Sequence, residues 1–242
     1  MKALASDFDG TLYFKDGFKE KDLKAIKEFQ DHGNLFGICT GRPLSAIIEE
    51  CQGKINFDFY IVASGALVLD KDQNEVYKEC IDYQVTKEIF NEYIDSFVVH
   101  VQANRTVYTT KDSIFSMPQV LIKDIKEIKD VDIYGLSFWA ETKENAKRIS
   151  QEVNDKYKEV EAFCNVDCVD IIKRGCSKGK AIQKAKELLK IDYICGIGDS
   201  FNDVPMLEKA DYSFTFHYSP LDIQEKANQV VGSVGEAISF IK

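Results

Sequence analysis

Apolar runs alternate with amphipathic segments in the first third of the chain. The runs KALASDF, NLFGICT and FYIVASG predict three buried strands. Between the first two, Leu23, Ile26 and Phe29 recur at helical spacing and Gly33 marks the stop, while RPLSAIIEEC predicts a second helix. ALVLDKDQNEVYKE then predicts a hairpin around an Asp-Gln-Asn turn. Strands that alternate with helices in this way indicate a parallel α/β sheet.

The pattern changes near residue 81. TKEIFNEYIDSF predicts a helix, VVHVQA and TVYTT a strand pair, and residues 111–130 form a mixed polar stretch without a clear element. A strand at IYGLSFWAE, a helix at TKENAKRISQEVNDKY and two strands at VEAFCNV and CVDIIK follow. Neighbouring strands with few helical crossovers predict an α+β domain on an antiparallel sheet over residues 81–171.

The α/β alternation then resumes. SKGKAIQKAKELLK, NDVPMLEKA and GEAISFIK predict helices, and YICGIGD and YSFTF predict strands. The fold class expected is therefore α/β: a doubly wound, Rossmann-like core with a parallel sheet, formed by residues 1–80 and 172–242 and interrupted by the inserted α+β domain.

Charge and composition exclude several classes of function. The 242 residues include 40 acidic and 31 basic side chains, a net charge of -9, so a general nucleic-acid binder is not expected. A small phosphorylated molecule held by a few local cations and a metal remains compatible with this charge. No apolar run reaches the length of a membrane span, and we expect no membrane partner.

Cysteine usage points to the compartment. The seven cysteines are odd in number and contain no C-x-x-C pair, which favours free thiols in a reducing environment. Asp7 interrupts the only apolar run near the start, so no signal peptide is expected. The expected location is the cytoplasm. The oligomeric state stays open, and a monomer is compatible with the sequence.

Three predicted strands end in polar residues, within SDFDGT, ICTGR and IGDSFND. Open α/β sheets bind ligands at the carboxyl ends of their strands, so one crevice is expected to collect Asp7, Asp9, Thr40, Asp199 and Asp203. Two carboxylates about 4 Å apart repel by roughly 4 kcal/mol at an effective dielectric of 20. A cation would relieve that repulsion, and all-oxygen ligands select Mg²⁺ before Ca²⁺ or Mn²⁺.

Paired carboxylates beside Mg²⁺ indicate phosphate chemistry. One aspartate can attack phosphorus to give an aspartyl-phosphate, while the other, its pKa raised by crowding, manages the proton. The phosphoryl oxygens need donors and cations around them. Thr40, the backbone amides near Gly41 and a lysine such as Lys178 would serve, with Lys180 as a rival for the lysine.

Four segments, in order, resemble the motifs of the haloacid dehalogenase (HAD) superfamily. DFDGTL resembles its first motif, D-x-D-G-T-L, and ICTGRP resembles its second, a strand ending in Thr or Ser. SKGKAI is similar to the third, a lysine at a helix start, and GDSFNDVPML to the fourth, G-D-x-x-N-D-x-x-M-L. The inserted domain is similar to the cap of the Cof-like, type IIB phosphatases.

The resemblance implies a role for each matching residue. Asp7 would be the nucleophile and a Mg²⁺ ligand, and Asp9 the general acid/base that offers its backbone carbonyl to the metal. Asp199 would bind Mg²⁺, with Asp203 as a ligand or its support. Phosphate and substrate contacts would come from the residues that match the second, third and fourth motifs, which are Thr40, Gly41, Arg42, Lys178 and Asn202.

Two loops depart from the family pattern. SGA at Ser64–Ala66 stands where relatives often have NGA, and TFHYSP at Thr215–Pro220 where they often have MGNA. These departures leave the substrate open, although His217 could line the pocket. Plainer interpretations also stay open: Asn202 as a helix N-cap, Asp203 as a partner of a helix dipole, and His217 as a loop residue.

The function expected is a Mg²⁺-dependent phosphatase of small phosphomonoesters, sugar phosphates or similar metabolites, acting through an aspartyl-phosphate. One alternative is a sugar-phosphate phosphotransferase or mutase, since the phosphoryl group can be passed to another hydroxyl. The other alternative is a regulatory protein that binds a phosphorylated ligand without turnover.

Overall fold

The computed structural model describes residues 1–112 and 118–241. Residues 113–117 of the polar stretch and Lys242, at the end of the last predicted helix, lie outside the described residues. The backbone divides into two compact units. The first unit comprises Met1–Gly41, Cys51–Tyr77 and Ser177–Lys242, and the second comprises Arg42–Glu50 and Lys78–Cys176. The boundaries expected from the sequence, 1–80, 81–171 and 172–242, stay a prediction of the functional domains.

The described residues contain eight α-helices and sixteen strands. The strands are β1 (Lys2–Ser6), β2 (Tyr13–Phe14), β3 (Gly17–Phe18), β4 (Leu35–Cys39), β5 (Phe59–Val62), β6 (Leu67–Asp70), β7 (Glu75–Lys78), β8 (His100–Ala103), β9 (Thr106–Thr109), β10 (Gln119–Leu121), β11 (Ile133–Trp139), β12 (Val160–Asn165), β13 (Cys168–Lys173), β14 (Tyr193–Ile197), β15 (Tyr212–Phe216) and β16 (Gln229–Val231). The helices are α1 (Glu20–Asp31), α2 (Leu44–Cys51), α3 (Tyr83–Tyr93), α4 (Lys143–Lys156), α5 (Lys178–Leu188), α6 (Val204–Lys209), α7 (Leu221–Gln224) and α8 (Val234–Phe240). Short 3₁₀ turns occupy Ala63–Gly65, Ile125–Ile128 and Phe201–Asp203. Among the residues so described, no helix is both long enough and apolar enough to span a bilayer.

The first unit is built on an eight-stranded sheet with the order β16-β15-β14-β1-β4-β5-β6-β7. The six strands from β16 to β5 run parallel, and β6 turns back antiparallel to β5. The predicted Rossmann-like parallel core is therefore confirmed, and the hairpin predicted after β5 supplies its antiparallel edge. The strand β1 lies between β4 and β14, so its carboxyl end is at the centre of the sheet.

Apolar side chains on one face of this sheet explain why helices cover it. Ala3, Ala5 and Cys39 pack with Ala181 and Ile182 of α5 in one buried cluster. Their neighbours in the strands point to the opposite face, because side chains alternate along a strand. The helices α5 and α6 belong to the first face, with the buried Met206 of α6 in the same cluster.

The helix α1 differs in one position from the predicted apolar stripe. It buries Ile26 and Phe29 as expected, but Leu23 is only half-buried and the preceding Asp22 is buried instead. One oxygen of the Asp22 carboxylate accepts a hydrogen bond of 2.7 Å from the backbone N–H of Gly235, at the start of α8, while its other oxygen is buried without a hydrogen-bond partner among the described residues. The side chain thus fastens the last helix to the first.

The second unit has a six-stranded sheet with the order β10-β9-β8-β11-β13-β12. Its neighbouring strands are antiparallel except for β9 and β10, which are parallel. The α+β class predicted for the insertion is confirmed. The strand β10 lies within residues 111–130, for which the sequence predicted no clear element. The buried side chains Ile89 and Phe90 of α3 and Ile149 and Val153 of α4 pack in one cluster with this sheet.

Candidate active site

The predicted site residues of the first unit gather at the carboxyl edge of its sheet. In the register of the sheet, Ser6 is opposite Ile38 on one side and Ile197 on the other, so β1, β4 and β14 end at one level. Asp7 and Thr40 directly follow two of these strands, and Asp199 follows the third after one glycine. The predicted convergence of the strand ends is what the structure shows.

Lys178 links two of the aspartates. Its Nζ donates to Asp7 Oδ1 at 2.5 Å and to Asp203 Oδ1 at 2.6 Å. All three side chains are buried, with exposed fractions of 2% for Lys178, 7% for Asp7 and 0% for Asp203. Buried charges are tolerated only when they are paired, and here one ammonium serves two carboxylates.

The helix α5 places this lysine. Ser177 is its N-cap and accepts a hydrogen bond from the backbone N–H of Lys180, so Lys178 is the first helical residue and Lys180 the third. Gly179 packs so closely on α6 that a Cβ there would overlap the carbonyl oxygen of Pro205. This close packing of α5 on α6 brings Lys178 to Asp203, just before α6, and identifies it rather than Lys180 as the lysine of the cluster.

Asp203 also organises the loop that carries Asp199. Its Oδ2 accepts hydrogen bonds of 3.0 Å from the backbone N–H groups of Asp199 and Ser200 and one of 3.3 Å from the Ser200 hydroxyl. Both oxygens of Asp203 thus have donors, one from the loop and one from Lys178. This is more specific than the helix-dipole interpretation that the sequence left open.

Thr11 makes a contact with Asp199 that was not predicted from the sequence. Its hydroxyl donates to Asp199 Oδ1 at 2.9 Å and so ties the loop after β1 to the loop after β14. Gly10, the residue before it, has a φ of +79°, and a Cβ there would lie 2.9 Å from Asp199 Oδ2. A glycine is needed for both reasons. The sequence feature that could have indicated this contact is the threonine within the DFDGTL motif.

The acidic residues fit a divalent cation. Asp7, Asp199 and Asp203 each offer a carboxylate oxygen, and these oxygens lie within 4.8 Å of one another. The donor set contains only oxygen, the ligand type of hard ions such as Mg²⁺, which bind few carboxylates and complete their shell with water and substrate phosphate. The chemistry of these residues therefore agrees with the metal expected from the sequence.

Burial and mutual repulsion perturb the charges in this cluster. Burial raises the pKa of Asp7, and the neighbouring Asp203 adds to the effect while Lys178 opposes it. Burial also raises the pKa of Asp199, against the hydrogen bond from Thr11. For Lys178, burial favours the neutral amine, but the attraction of Asp203 and Asp7 outweighs it and raises the pKa of the ammonium. Lys178 therefore stays charged.

The other predicted residues of this edge differ in accessibility. Asp9 is exposed, in the turn that leads into β2. Thr40 is buried, and its backbone N–H donates to the carbonyl of Ile61, in the adjacent strand. Gly41 follows it, half-buried. Asn202 is half-buried in the 3₁₀ turn, where its Oδ1 accepts a hydrogen bond of 2.6 Å from the Ser200 hydroxyl. The N-cap of this 3₁₀ turn is Ser200 and the N-cap of α6 is Asp203, so Asn202 is the N-cap of neither.

Arg42 belongs to the second unit. Its guanidinium forms an ion pair of 3.4 Å with Glu50, in the same short segment of that unit. Its role in substrate contact stays a prediction.

The two unusual loops have different structural roles. Ala63 and Ser64 adopt positive φ values of 50° and 56°, and the backbone N–H of Ser64 donates to the carbonyl of Thr40. In the loop after β15, the His217 side chain is exposed, whereas Tyr218 reaches the DFDGTL loop and donates from its hydroxyl to the carbonyl of Gly10 at 2.6 Å. Sequence reasoning singled out His217 there and passed over its neighbour.

Comparison with known proteins adds independent findings. The sequence model of one protein family, the haloacid dehalogenase-like hydrolases, matches residues 4–238. The chain is 26% identical to 5-amino-6-(5-phospho-D-ribitylamino)uracil phosphatase YwtE of Bacillus subtilis, over 98% of this chain and 94% of that protein. Among solved structures, a haloacid dehalogenase-like hydrolase from B. subtilis has a TM-score of 0.86 at 19% identity and full coverage of both chains. The HAD subclass IIB sugar phosphatase BT4131 has a TM-score of 0.83 at 19% identity, over 100% of this chain and 99% of that one.

Proposed function

The chain belongs to the family of haloacid dehalogenase-like hydrolases, and on that basis we propose that it is a Mg²⁺-dependent phosphatase of small phosphomonoesters. The observation that supports this best is the cluster in which Lys178 contacts both Asp7 and Asp203 beside Asp199. A carboxylate held by a buried ammonium, next to further carboxylates for a hard cation, is an arrangement suited to phosphoryl transfer.

Asp7 is the proposed nucleophile. A carboxylate oxygen of Asp7 forms a bond to phosphorus while the bond from phosphorus to the ester oxygen breaks, which leaves a phosphoryl group on Asp7. Lys178, already 2.5 Å from Asp7 Oδ1, holds that carboxylate in place and remains positively charged next to the transferring group. Mg²⁺, when bound by Asp7, Asp199 and Asp203 with the backbone carbonyl of Asp9, would supply positive charge to the phosphoryl oxygens.

Asp9 is the proposed general acid and base. It lies two residues from Asp7 and is exposed, so it is accessible to the leaving group and to water. In the first half-reaction it gives its proton to the departing alkoxide. In the second half-reaction it takes a proton from the water that attacks phosphorus, and the products are inorganic phosphate and the free Asp7 carboxylate.

The remaining predicted residues would bind the phosphoryl group and the substrate. We propose that Thr40 and the backbone amide of Gly41 contact phosphoryl oxygens from the end of β4, and that Asn202 and Arg42 contact the substrate. The substrate class proposed is sugar phosphates or similar phosphorylated metabolites. The names of two similar proteins, a phospho-D-ribitylaminouracil phosphatase and a sugar phosphatase, support this class.

We place this activity in the cytoplasm. All seven cysteines are free thiols, and four of them, Cys39, Cys51, Cys176 and Cys195, are buried. Free thiols at this number are typical of a reducing compartment.

The test is phosphate release from a panel of sugar phosphates, sugar-alcohol phosphates and p-nitrophenyl phosphate, with Mg²⁺ and with a chelator. The variant Asp7→Asn is compared with the control Asp58→Asn. Asp58 is half-buried at the opposite edge of the sheet, where it accepts hydrogen bonds from the Phe36 backbone and the Gln30 side chain. We expect release that requires Mg²⁺, survives in Asp58→Asn and is lost in Asp7→Asn. Full activity of Asp7→Asn would refute the mechanism.

The same panel separates the alternatives. A mutase or phosphotransferase would give a rearranged or transferred phosphoester in place of free phosphate, and a regulatory protein would be stabilised by a phosphorylated ligand without turnover. For Asp9→Asn, we expect the rate to fall most for esters with poor leaving groups, since those need the proton most. An equal loss across all leaving groups would exclude Asp9 as the acid.

A further inference from the structure

Tyr218 connects the loop after β15 to the loop that carries the proposed catalytic aspartates. Its hydroxyl donates to the backbone carbonyl of Gly10 at 2.6 Å, across 208 residues of sequence. Gly10 is the residue between Asp9 and Thr11. The hydrogen bond therefore holds the peptide unit between Gly10 and Thr11, which lies between the proposed acid Asp9 and the Thr11 hydroxyl that binds Asp199.

Aromatic packing fixes the ring of Tyr218. It stacks on Phe216 with the ring centroids 4.8 Å apart and the planes 10° apart. The ring of Phe14, from β2, meets it edge-on at 6.5 Å. Phe216 is 1% exposed and belongs to the end of β15, so the ring of Tyr218 rests on the core of the unit. Tyr218 is still 52% exposed, so these two ring contacts orient the side chain toward Gly10 without burying it.

The Gly10 turn is held from two directions. On one side, the Tyr218 hydroxyl binds the Gly10 carbonyl. On the other, the Thr11 hydroxyl donates to Asp199 Oδ1 at 2.9 Å. Because the two residues share one peptide unit, a shift of the Gly10 carbonyl also moves the Thr11 hydroxyl and the carboxylate of Asp199 that it orients.

We propose that Tyr218 is a positioning residue of the phosphatase site, which fixes the turn between Asp9 and Thr11 and through it the orientation of Asp199. This inference rests on the proposed function. It gives the loop Thr215–Pro220 a definite role, because the Tyr218 hydroxyl of that loop then holds the turn that follows the two proposed catalytic aspartates. Removal of that hydroxyl should weaken Mg²⁺ binding and slow turnover while substrate binding changes little.

The variant Tyr218→Phe tests this because it keeps the ring and its stacking on Phe216 and removes only the hydroxyl. The matched control is Tyr212→Phe at the start of β15, the strand that precedes the loop of Tyr218, where the Tyr212 hydroxyl donates to Gln229 Oε1 at 3.2 Å. Three quantities are measured for each variant: kcat and KM for p-nitrophenyl phosphate, the Mg²⁺ concentration for half-maximal activity, and the shift of Tm with Mg²⁺ alone.

For Tyr218→Phe we expect kcat to fall about tenfold with KM nearly constant, as for the loss of one hydrogen bond that orients a reacting group. The half-saturating Mg²⁺ concentration should rise several-fold, and the Tm shift with Mg²⁺ alone should shrink. For Tyr212→Phe all three should match the wild-type protein. If the two variants behave alike, or if Tyr218→Phe lowers Tm without changing kcat or Mg²⁺ binding, Tyr218 is only structural and the proposal is wrong.

The variant Asp7→Asn in the same assays keeps this failure distinct from failure of the proposed function. If Asp7→Asn is inactive and Tyr218→Phe is normal, only the positioning role is refuted. If Asp7→Asn retains full activity, the proposed phosphatase mechanism itself is refuted, whatever Tyr218→Phe does.

Discussion

Replacement of Lys178 by methionine should destabilise the protein far more than the loss of an ordinary ion pair. Methionine keeps most of the aliphatic length, so the change removes mainly the charge. It leaves Asp7 and Asp203 facing each other, both with less than a tenth of the side chain exposed. Loss of one partner from a buried ion pair costs about 3–5 kcal/mol, because the remaining charge is uncompensated.

The matched control lies on the same helix. Lys186 Nζ pairs with Asp211 at 2.6 and 2.7 Å, but the two side chains are 33% and 27% exposed. Lys186→Met should therefore cost only about 1 kcal/mol or less. Urea denaturation followed by circular dichroism, in a chelator at about pH 7.5, measures both losses on one scale, provided that the m-value is unchanged.

The pH dependence of the loss checks its cause. The pKa of Asp7 is already raised in the folded protein, and removal of the Lys178 ammonium should raise it further. A carboxyl whose pKa is higher in the folded than in the unfolded chain lowers the stability as pH rises through that range. Because the pKa of Asp7 is already about 8 in the wild-type protein, the loss of stability in Lys178→Met should be nearly constant below about pH 7, where Asp7 holds a proton in both proteins, and should grow as pH rises above about 8.

Two results would refute this reasoning. One is a loss for Lys178→Met no larger than that for Lys186→Met. The other is a double variant Lys178→Met with Asp203→Asn that is no more stable than Lys178→Met alone, since removal of one of the two facing carboxylates should recover part of the stability.

Three further outcomes follow from single contacts. Thr11→Val loses the hydrogen bond to Asp199 and should weaken Mg²⁺ binding about tenfold in a calorimetric titration, while the Tm in chelator stays nearly unchanged. An unaltered Mg²⁺ affinity would show that this hydrogen bond does not support the proposed metal site. Gly179→Ala should lower the free energy of unfolding by about 3 kcal/mol in urea, since its Cβ would overlap the Pro205 carbonyl, and a neutral change would show that α5 and α6 separate freely. Burial raises the pKa of Asp170, in β13, to about 6, so its contribution to stability should fall as pH rises from about 4 to 6. Asp170→Asn should therefore stabilise the protein by about 1–2 kcal/mol at neutral pH, with allowance for its partial exposure, and by almost nothing near pH 4. Equal gains in stability at the two pH values would contradict the raised pKa of Asp170.

The α/β core and the strand-end residues were predictable because their signals are local. Runs such as LFGIC are apolar at every position, as expected for strands covered on both faces, and a polar residue follows each run directly or after one glycine. The carboxyl ends of parallel strands then meet by topology. This is why Asp7, Thr40 and Asp199 could be placed together without knowledge of any contact.

The contacts that complete the site were not predictable because they join distant segments. The pair Tyr218 and Gly10 is separated by 208 residues, and no window of sequence contains both. The hairpin of β2 and β3 has strands of only two residues. It is stabilised by packing, with Tyr13 stacked at 5.2 Å on the buried Phe8, rather than by a pattern of its own. The choice between Lys178 and Lys180 likewise depended on where Ser177 starts the helix, which sequence fixes only within a residue or two.

The charge balance of the cluster explains why residues that repel one another occupy one place. Asp7, Asp199 and Asp203 carry three negative charges when ionised, and Lys178 compensates one of them. The remaining two equal the charge of one divalent cation. The raised pKa values of Asp7 and Asp199 agree with this shortage of positive charge, because a carboxylate in such a place binds a proton more readily. A site with a second lysine would be more stable on its own but would have no electrostatic reason to bind a metal. We therefore expect the single lysine between two of the three aspartates to leave the cluster less stable without metal and to favour binding of the proposed divalent cation.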